Sequence, residues 1–386
     1  MKIVQIGFFP LNISCIKGGV EASIYGILNE QKKTNQLIVI DIPRTEISID
    51  YIEEIDGVNI YRFAAGGKSN FSALSQLKKI INIIRIQKPD ICHIHTTSLF
   101  AFFTYLFLRY YHIPTVVTIH GLAHIEKKNM WITKRSIHNF IKYIFQSQTE
   151  FLFISICPIF IVDTQYVADI INLYKRQWKI IRMPICLVIP QGINSQFFHL
   201  NNISKKYRLL AVGSINKRKG HLILIESMLK IKRLYPDFSL SIVGTLSDQK
   251  YYELLLNSIN EKELESQVKI YPNATFDEIL NFYKNAEIFV LSTEEESQGI
   301  VFCEAMAAGL PIVATKVGGV PWVVKDNING ILCDFGDSEA LADNVIKLFE
   351  NESFRNNMRE MNKIESHKYD WGNIAIEIMN VYQSII

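Results

Sequence analysis

Short apolar runs rich in β-branched residues alternate along the chain with longer stretches whose apolar residues recur at helical spacing. This is the pattern of parallel sheets joined by crossover helices. In the first half it predicts strands at Lys2 to Ile6, Leu37 to Asp41, Ile91 to His93, Val116 to Ile119, Ile159 to Val162 and Val188 to Pro190. In the second half the strands fall at Leu209 to Val212, Leu240 to Val243, Val268 to Tyr271, Ile288 to Leu291, Ile312 to Ala314 and Ile331 to Cys333. Each half reads as its own doubly wound, Rossmann-like α/β sheet, with the polar stretch Gln191 to Lys206 as the connection. Ligands of such sheets bind beyond the carboxyl ends of the strands, so a cleft between the halves is the expected site. Tyr369 to Ile386 reads as a helix with Ile374, Ile378 and Tyr382 on one face.

A length of 386 residues fits two domains, and 48% apolar with 20% charged residues describes a buried, globular chain. The net charge of +3, with Lys and Arg spread throughout, leaves no electrostatic footprint for nucleic acid. The six cysteines (Cys15, Cys92, Cys157, Cys186, Cys303, Cys333) form no C-x-x-C pair and read as reduced core residues of a cytoplasmic protein. Met1 to Gly7 lacks the basic region and cleavage site of a signal peptide. Leu99 to Leu108 and Phe151 to Val162 are too short to span a bilayer and read as buried elements, with peripheral membrane contact left open.

The chemistry-bearing residues follow predicted strands. After Ile288 to Leu291 comes an acidic loop with Glu296. Gly299 then opens a helix, so that the backbone at Gly299, Ile300 and Val301 offers free N–H groups to an anion. Glu304, eight residues after Glu296 and about two turns into that helix, brackets the same anion site. Taken alone, Glu294 to Glu296 is equally a solvated turn and Glu304 a surface charge. After Leu209 to Val212 comes a turn through Gly213 carrying Lys217, Arg218 and Lys219 before a helix near His221. Three cations at a helix entrance oppose the helix dipole unless a bound phosphate compensates them, although a lone basic run is more often a solvated loop. Gly18-Gly19-Val20-Glu21 precedes a further helix; it is no G-x-G-x-x-G fingerprint, which disfavours a nicotinamide enzyme. His93, His95 and His120 gather at one sheet edge with no carboxylate at ligand spacing. His93 and His95 read as structural, and His120 as a hydrogen-bonding group for a sugar hydroxyl.

In order, these residues resemble the family 4 glycosyltransferases. The matching segments are Gly18 to Glu21, Asp90 to His95, Thr118 to Gly121, Ile189 to Asn194, Gly213 to Gly220, Glu296 to Thr315 and Val317 to Pro321. The resemblance implies the GT-B fold, with a Rossmann-like acceptor-binding domain over 1–195, a nucleotide-sugar donor domain over 196–365 and a C-terminal helix, 366–386, returning to the first domain. It implies retaining transfer from a UDP- or GDP-linked sugar to a glycan or lipid-linked glycan in bacterial surface polysaccharide synthesis, at the inner face of the membrane, with no cofactor or obligatory metal. Carried over by position, Lys219 faces the donor diphosphate, Glu304 the ribose and Glu296 the sugar hydroxyls. Gly299 to Val301 cradle sugar and phosphate, His120 is the cleft histidine, and Gly18 and Gly19 form the loop facing diphosphate and acceptor. Ser214 stands where the family often has Arg, so that one diphosphate cation is either missing or supplied by Arg218, and Trp322 stands where it usually has Glu. These departures keep two alternatives in view: a nucleotide-sugar epimerase and a catalytically idle nucleotide-sugar-binding protein.

Overall fold

The computed structural model describes residues 1–13, 16, 18–65, 72–177, 184–203 and 205–386; Cys15 lies outside them. The chain divides into two units, 1–191 with 371–386, and 192–370.

The first unit runs β1 (Lys2–Gly7), α1 (Gly19–Gln31), β2 (Gln36–Asp41), β3 (Tyr51–Ile55), β4 (Val58–Arg62), α2 (Leu77–Gln87), β5 (Ile91–Ile94) and α3 (Leu99–Tyr110). It continues through β6 (Thr115–Ile119), α4 (Ala123–Lys134), α5 (Ile137–Ile156), β7 (Ile159–Val162), α6 (Gln165–Gln177) and β8 (Ile185–Val188). Its sheet order is β3-β4-β2-β1-β5-β6-β7-β8, parallel except for the β3–β4 hairpin. Alternate strand residues enter opposite cores: Val4, Ile38 and Ile40 pack with α2, α3 and α5, whereas Ile3, Leu37 and Val39 pack with α1. Burial on both faces is why these strands read as continuous apolar runs.

The second unit runs β9 (Arg208–Val212), α7 (His221–Leu234), β10 (Ser239–Gly244), α8 (Gln249–Glu261), β11 (Val268–Pro272), α9 (Phe276–Asn285) and β12 (Ile288–Leu291). It ends with α10 (Ile300–Ala307), β13 (Ile312–Thr315), α11 (Val320–Val323), β14 (Gly330–Cys333), α12 (Ser338–Glu350) and α13 (Glu352–Ser366). Its order, β11-β10-β9-β12-β13-β14, is fully parallel and reverses direction between β9 and β12. That reversal is the point at which doubly wound sheets open a crevice for ligands. The last helix, α14 (Trp371–Ile385), belongs to the first unit. Ile374, Ile378 and Tyr382 lie buried among Ile24, Ile27 and Leu28 of α1, and the Tyr382 hydroxyl accepts from Gln5 Nε2 at 3.1 Å.

Each expected strand but one lies within a residue of its place at both ends. The exception is Val188 to Pro190, where β8 occupies Ile185–Val188 instead; Pro190 has no N–H to give a neighbouring strand. The β3–β4 hairpin is additional. Its Asp56-Gly57 turn has φ of 51° and 78°, the signature of a two-residue hairpin, but β3 is too exposed and polar to stand out as a strand. Two apolar stretches expected to be buried are so only in part, with Phe107 and Leu152 exposed. Leu99 to Leu108 lies in α3, which buries one face while Phe107 stays exposed, and Phe151 to Val162 is split between the end of α5 and β7. Within the expected connection, Ile193 and Phe197 are core residues of the second unit, so the polar reading of that stretch is corrected there.

Candidate functional site

The basic turn and the acidic loop leave adjacent strands, β9 and β12, on either side of the reversal, and close backbone contacts join them. Glu294 N donates to the Arg218 carbonyl at 2.8 Å, and Ser292 Oγ donates to the Gly220 carbonyl at 2.8 Å. Gly220 adopts φ +66°, and a Cβ there would lie 1.8 Å from the Ser292 carbonyl oxygen. No other residue permits this approach, which brings the turn Lys217–Lys219 against the loop.

The result is a buried ion pair between Lys219 Nζ and Glu296 Oε1. Thr293 Oγ1 lies 3.3 Å from the same carboxylate oxygen, and Arg218 reaches the other oxygen at 3.8 Å while donating to the Glu295 carbonyl at 3.1 Å. The backbone of Glu296 is fixed as well. Its carbonyl accepts from Gly319 N at 2.7 Å, and Gly318 has φ +50° with no room for a Cβ, which would sit 2.2 Å from that oxygen. Gly299, at φ +78°, caps α10, and its position lies against the Glu296 side chain. The amides of Ile300 and Val301 therefore begin a helix beside a lysine, an arginine and a carboxylate, an arrangement suited to an anion bearing hydroxyl groups.

Glu304 is the fifth residue of α10, little more than one turn inside rather than two, and it is half-buried. Its carboxylate accepts from the Tyr283 hydroxyl at 2.9 Å. Burial pushes the Glu304 carboxyl up to about 7, although the tyrosine bond favours the charged form. Between its ordinary 4.5 and about 7 the folded chain keeps a proton that the unfolded chain has lost, so stability falls as pH rises through that window. The loss is about 3 kcal/mol. Glu304→Gln should flatten it, as read by urea unfolding at pH 5 and pH 8; an equal fall in both proteins would show that Glu304 is not its source.

In the first unit, Gly18 (φ +108°) caps α1 and is exposed, with open space where a Cβ would be, and Gly19 begins the helix. His93 is buried, its ring nitrogens bonded to the Tyr382 and Thr118 hydroxyls at 2.7 and 2.6 Å. Burial holds its pKa down at about 3, and the buried His95 is lowered too. The His120 ring stacks on His95, with Nε2 3.3 Å from His95 Nδ1, and its Nδ1 lies 3.5 Å from Asp163. Asp163 follows β7 and has no sequence signal; only the strand order β6-β7 brings it beside His120. Tyr283 and the Gly318 clamp were equally invisible as partners. Trp322 is exposed, with Lys325 Nζ 5.3 Å from its ring centre. Among the described residues no group of three His, Cys, Asp or Glu is placed to hold a metal ion.

Two Rossmann-like units, one of them presenting a helix start beside a Lys–Glu pair at its switch point, have the architecture of a glycosyltransferase of GT-B fold. The pattern "Glycosyltransferase Family 4" matches residues 17–196 and "Glycosyl transferases group 1" matches residues 193–364. The chain belongs to the family 4 glycosyltransferases. An uncharacterized glycosyltransferase of Methanocaldococcus jannaschii is 26% identical over 308 residues, 79% of this chain and 78% of its own. Among solved structures, sucrose-phosphate synthase from Thermosynechococcus elongatus superimposes with a TM-score of 0.82 at 18% identity, over 99% of this chain and 98% of that one. HepE of Anabaena, in complex with UDP-glucose, gives 0.74 at 18% identity over the whole of both chains.

Proposed function

We propose that this glycosyltransferase moves a sugar from a UDP- or GDP-linked donor to a hydroxyl of a glycan or lipid-linked glycan, with retention at the anomeric carbon. The reading places it in surface polysaccharide synthesis on the cytoplasmic side of a bacterial membrane. The observation that carries it is the Lys219–Glu296 pair held against the start of α10. Lysine has three N–H donors, so Lys219 can keep Glu296 and still meet a phosphate oxygen, while Glu296 accepts from sugar hydroxyls. The amides of Gly299 to Val301 bind the diphosphate, Arg218 adds a second cation, and Glu304 accepts from the ribose. The bond from the anomeric carbon to the diphosphate oxygen breaks, its electron pair leaving with the diphosphate. The acceptor oxygen bonds to the same face and passes its proton to the leaving phosphate. Stabilising that departing charge is the protein's main task, without an obligatory metal. His120 serves the sugar less directly, because both ring nitrogens face protein groups, and Gly18 leaves open space at the start of α1 for the acceptor, with Gly19 beside it. Phe8, Leu11 and Ile13, exposed on the segment before it, favour a lipid-linked acceptor.

A thermal-shift screen against UDP- and GDP-sugars, with and without EDTA, tests the donor site. One nucleotide sugar should stabilise the chain by about 3 kcal/mol at roughly a hundredfold excess over Kd, unchanged by EDTA. No shift with any donor would remove the reading, and a shift abolished by EDTA would remove its metal independence. Donor consumption that requires an added acceptor separates transfer from epimerisation.

A further inference from the structure

The second half of α5 is anchored. Thr149, Glu150, Phe153 and Ile154 are buried, and the Glu150 carboxylate accepts from Ala123 N at 2.9 Å and Thr97 Oγ1 at 3.0 Å, tying α4 and α5 to the sheet. The first half is different. Ile137, Phe140, Ile141 and Ile144, spaced as a single helical stripe, are 80%, 40%, 60% and 41% exposed, and Ile132 of α4 is 52% exposed. Trp131 packs against Phe140 and Tyr143, bracing the two helices together. A stripe of large aliphatic side chains this exposed marks a surface that meets something apolar.

The charges beside it say what. Residues 127 to 149 contain five Lys or Arg (Lys127, Lys128, Lys134, Arg135, Lys142) and no Asp or Glu, in a chain whose net charge is only +3. Lys128, Arg135 and Lys142 are exposed. We infer that the α4–α5 hairpin is a docking surface for an anionic lipid bilayer, its aliphatic stripe entering the acyl boundary and its cations meeting the headgroups. No helix among the described residues is long and apolar enough to cross a membrane, so this one lies in the interface plane. A second copy docking face to face would set the two cationic hairpins against each other, which repulsion opposes. An acidic protein surface would satisfy the cations and leave the aliphatic stripe wet. Lipid satisfies both.

This rests on the membrane-side placement in the proposed function and names its contact surface; vesicle binding is read separately from the donor screen, so either can fail alone. The test is co-sedimentation of the full chain with vesicles of phosphatidylcholine alone or mixed with phosphatidylglycerol. The protein should pellet with the mixed vesicles, and the double change Ile137→Asp, Ile141→Asp should cut that binding about tenfold or more without altering the melting temperature. Arg135→Glu with Lys142→Glu should abolish the preference for phosphatidylglycerol while leaving the chain folded. Three results would overturn the inference: no pelleting with either vesicle, equal pelleting of the Ile137→Asp, Ile141→Asp protein, or a dimer by light scattering that this double change dissolves, which assigns the face to a second copy.

Discussion

Lys219→Met is expected to lower the transfer rate by about a hundredfold to a thousandfold, the range found when one charge-stabilising donor is removed from an active site. Methionine nearly matches the lysine in volume and continues to pack across Gly213, where a Cβ would meet the Lys219 side chain at 3.2 Å. On the proposed mechanism what disappears is the cation facing the leaving diphosphate, so the loss should appear in kcat rather than KM. One structural effect must be separated from it. Without Lys219, the buried Glu296 carboxylate keeps Arg218 at 3.8 Å and Thr293 at 3.3 Å but loses its close cation, and an under-compensated buried charge is destabilising. Lys219→Met with Glu296→Gln removes that charge. Recovery of melting in the double variant assigns the lost stability to the stranded carboxylate, and turnover of Lys219→Met, measured well below its melting temperature, reads the lysine; near-normal turnover there would remove it from the mechanism.

How much of this site is legible in the sequence depends on the range of the interaction. Strands buried on both faces, such as Ile288 to Leu291, announce themselves because every residue is apolar, and the turns that follow them carry their chemistry within a few residues. Gly299 could be read as a helix start for the same reason. The pairing of Lys219 with Glu296 spans 77 residues and exists because β9 and β12 are neighbours across the reversal of strand order, which no local spacing encodes. Asp163 beside His120 and Tyr283 under Glu304 depend on the same kind of adjacency. Local burial was misjudged where one face differs from the other. Phe197 sits in a polar stretch yet is core, and Phe107 and Leu152 sit in apolar stretches expected to be buried yet are exposed. Glu304 shows how such a placement changes chemistry: on a helix surface it would be an ordinary carboxylate, and against Tyr283 its burial carries it into the neutral range.

Arg62→Met should destabilise the first unit by about 3 to 5 kcal/mol, as expected when one partner of a buried pair is removed. Arg62 and Asp41 are both fully buried and paired at 2.7 Å, and burial pushes the Asp41 carboxyl up even though Arg44 and Arg62 hold it down. Arg62 also donates to the Phe9 and Pro10 carbonyls at 3.0 and 2.7 Å, and Asp41 accepts from Phe9 N at 3.0 Å. Arg44 extends the network, reaching Asp41 at 2.8 Å and Glu21, in the first turn of α1, at 3.0 Å. The segment after β1 and the entrance of α1 thus hang from one set of charges, and Gly18 and Gly19 lie between those two attachments. Methionine would take the donor from the Pro10 carbonyl, from one Asp41 oxygen and from Glu53 at once, while Arg44 keeps the other Asp41 oxygen and the Phe9 carbonyl. Asp41→Asn in the Arg62→Met background should restore part of the loss, because a neutral amide costs less to bury than a carboxylate that has lost one of its two cations. Urea unfolding of the parent, both single variants and the double variant gives the coupling directly. If the double variant is no more stable than Arg62→Met, the charge pair is not what holds this loop, and the two carbonyl bonds carry it instead.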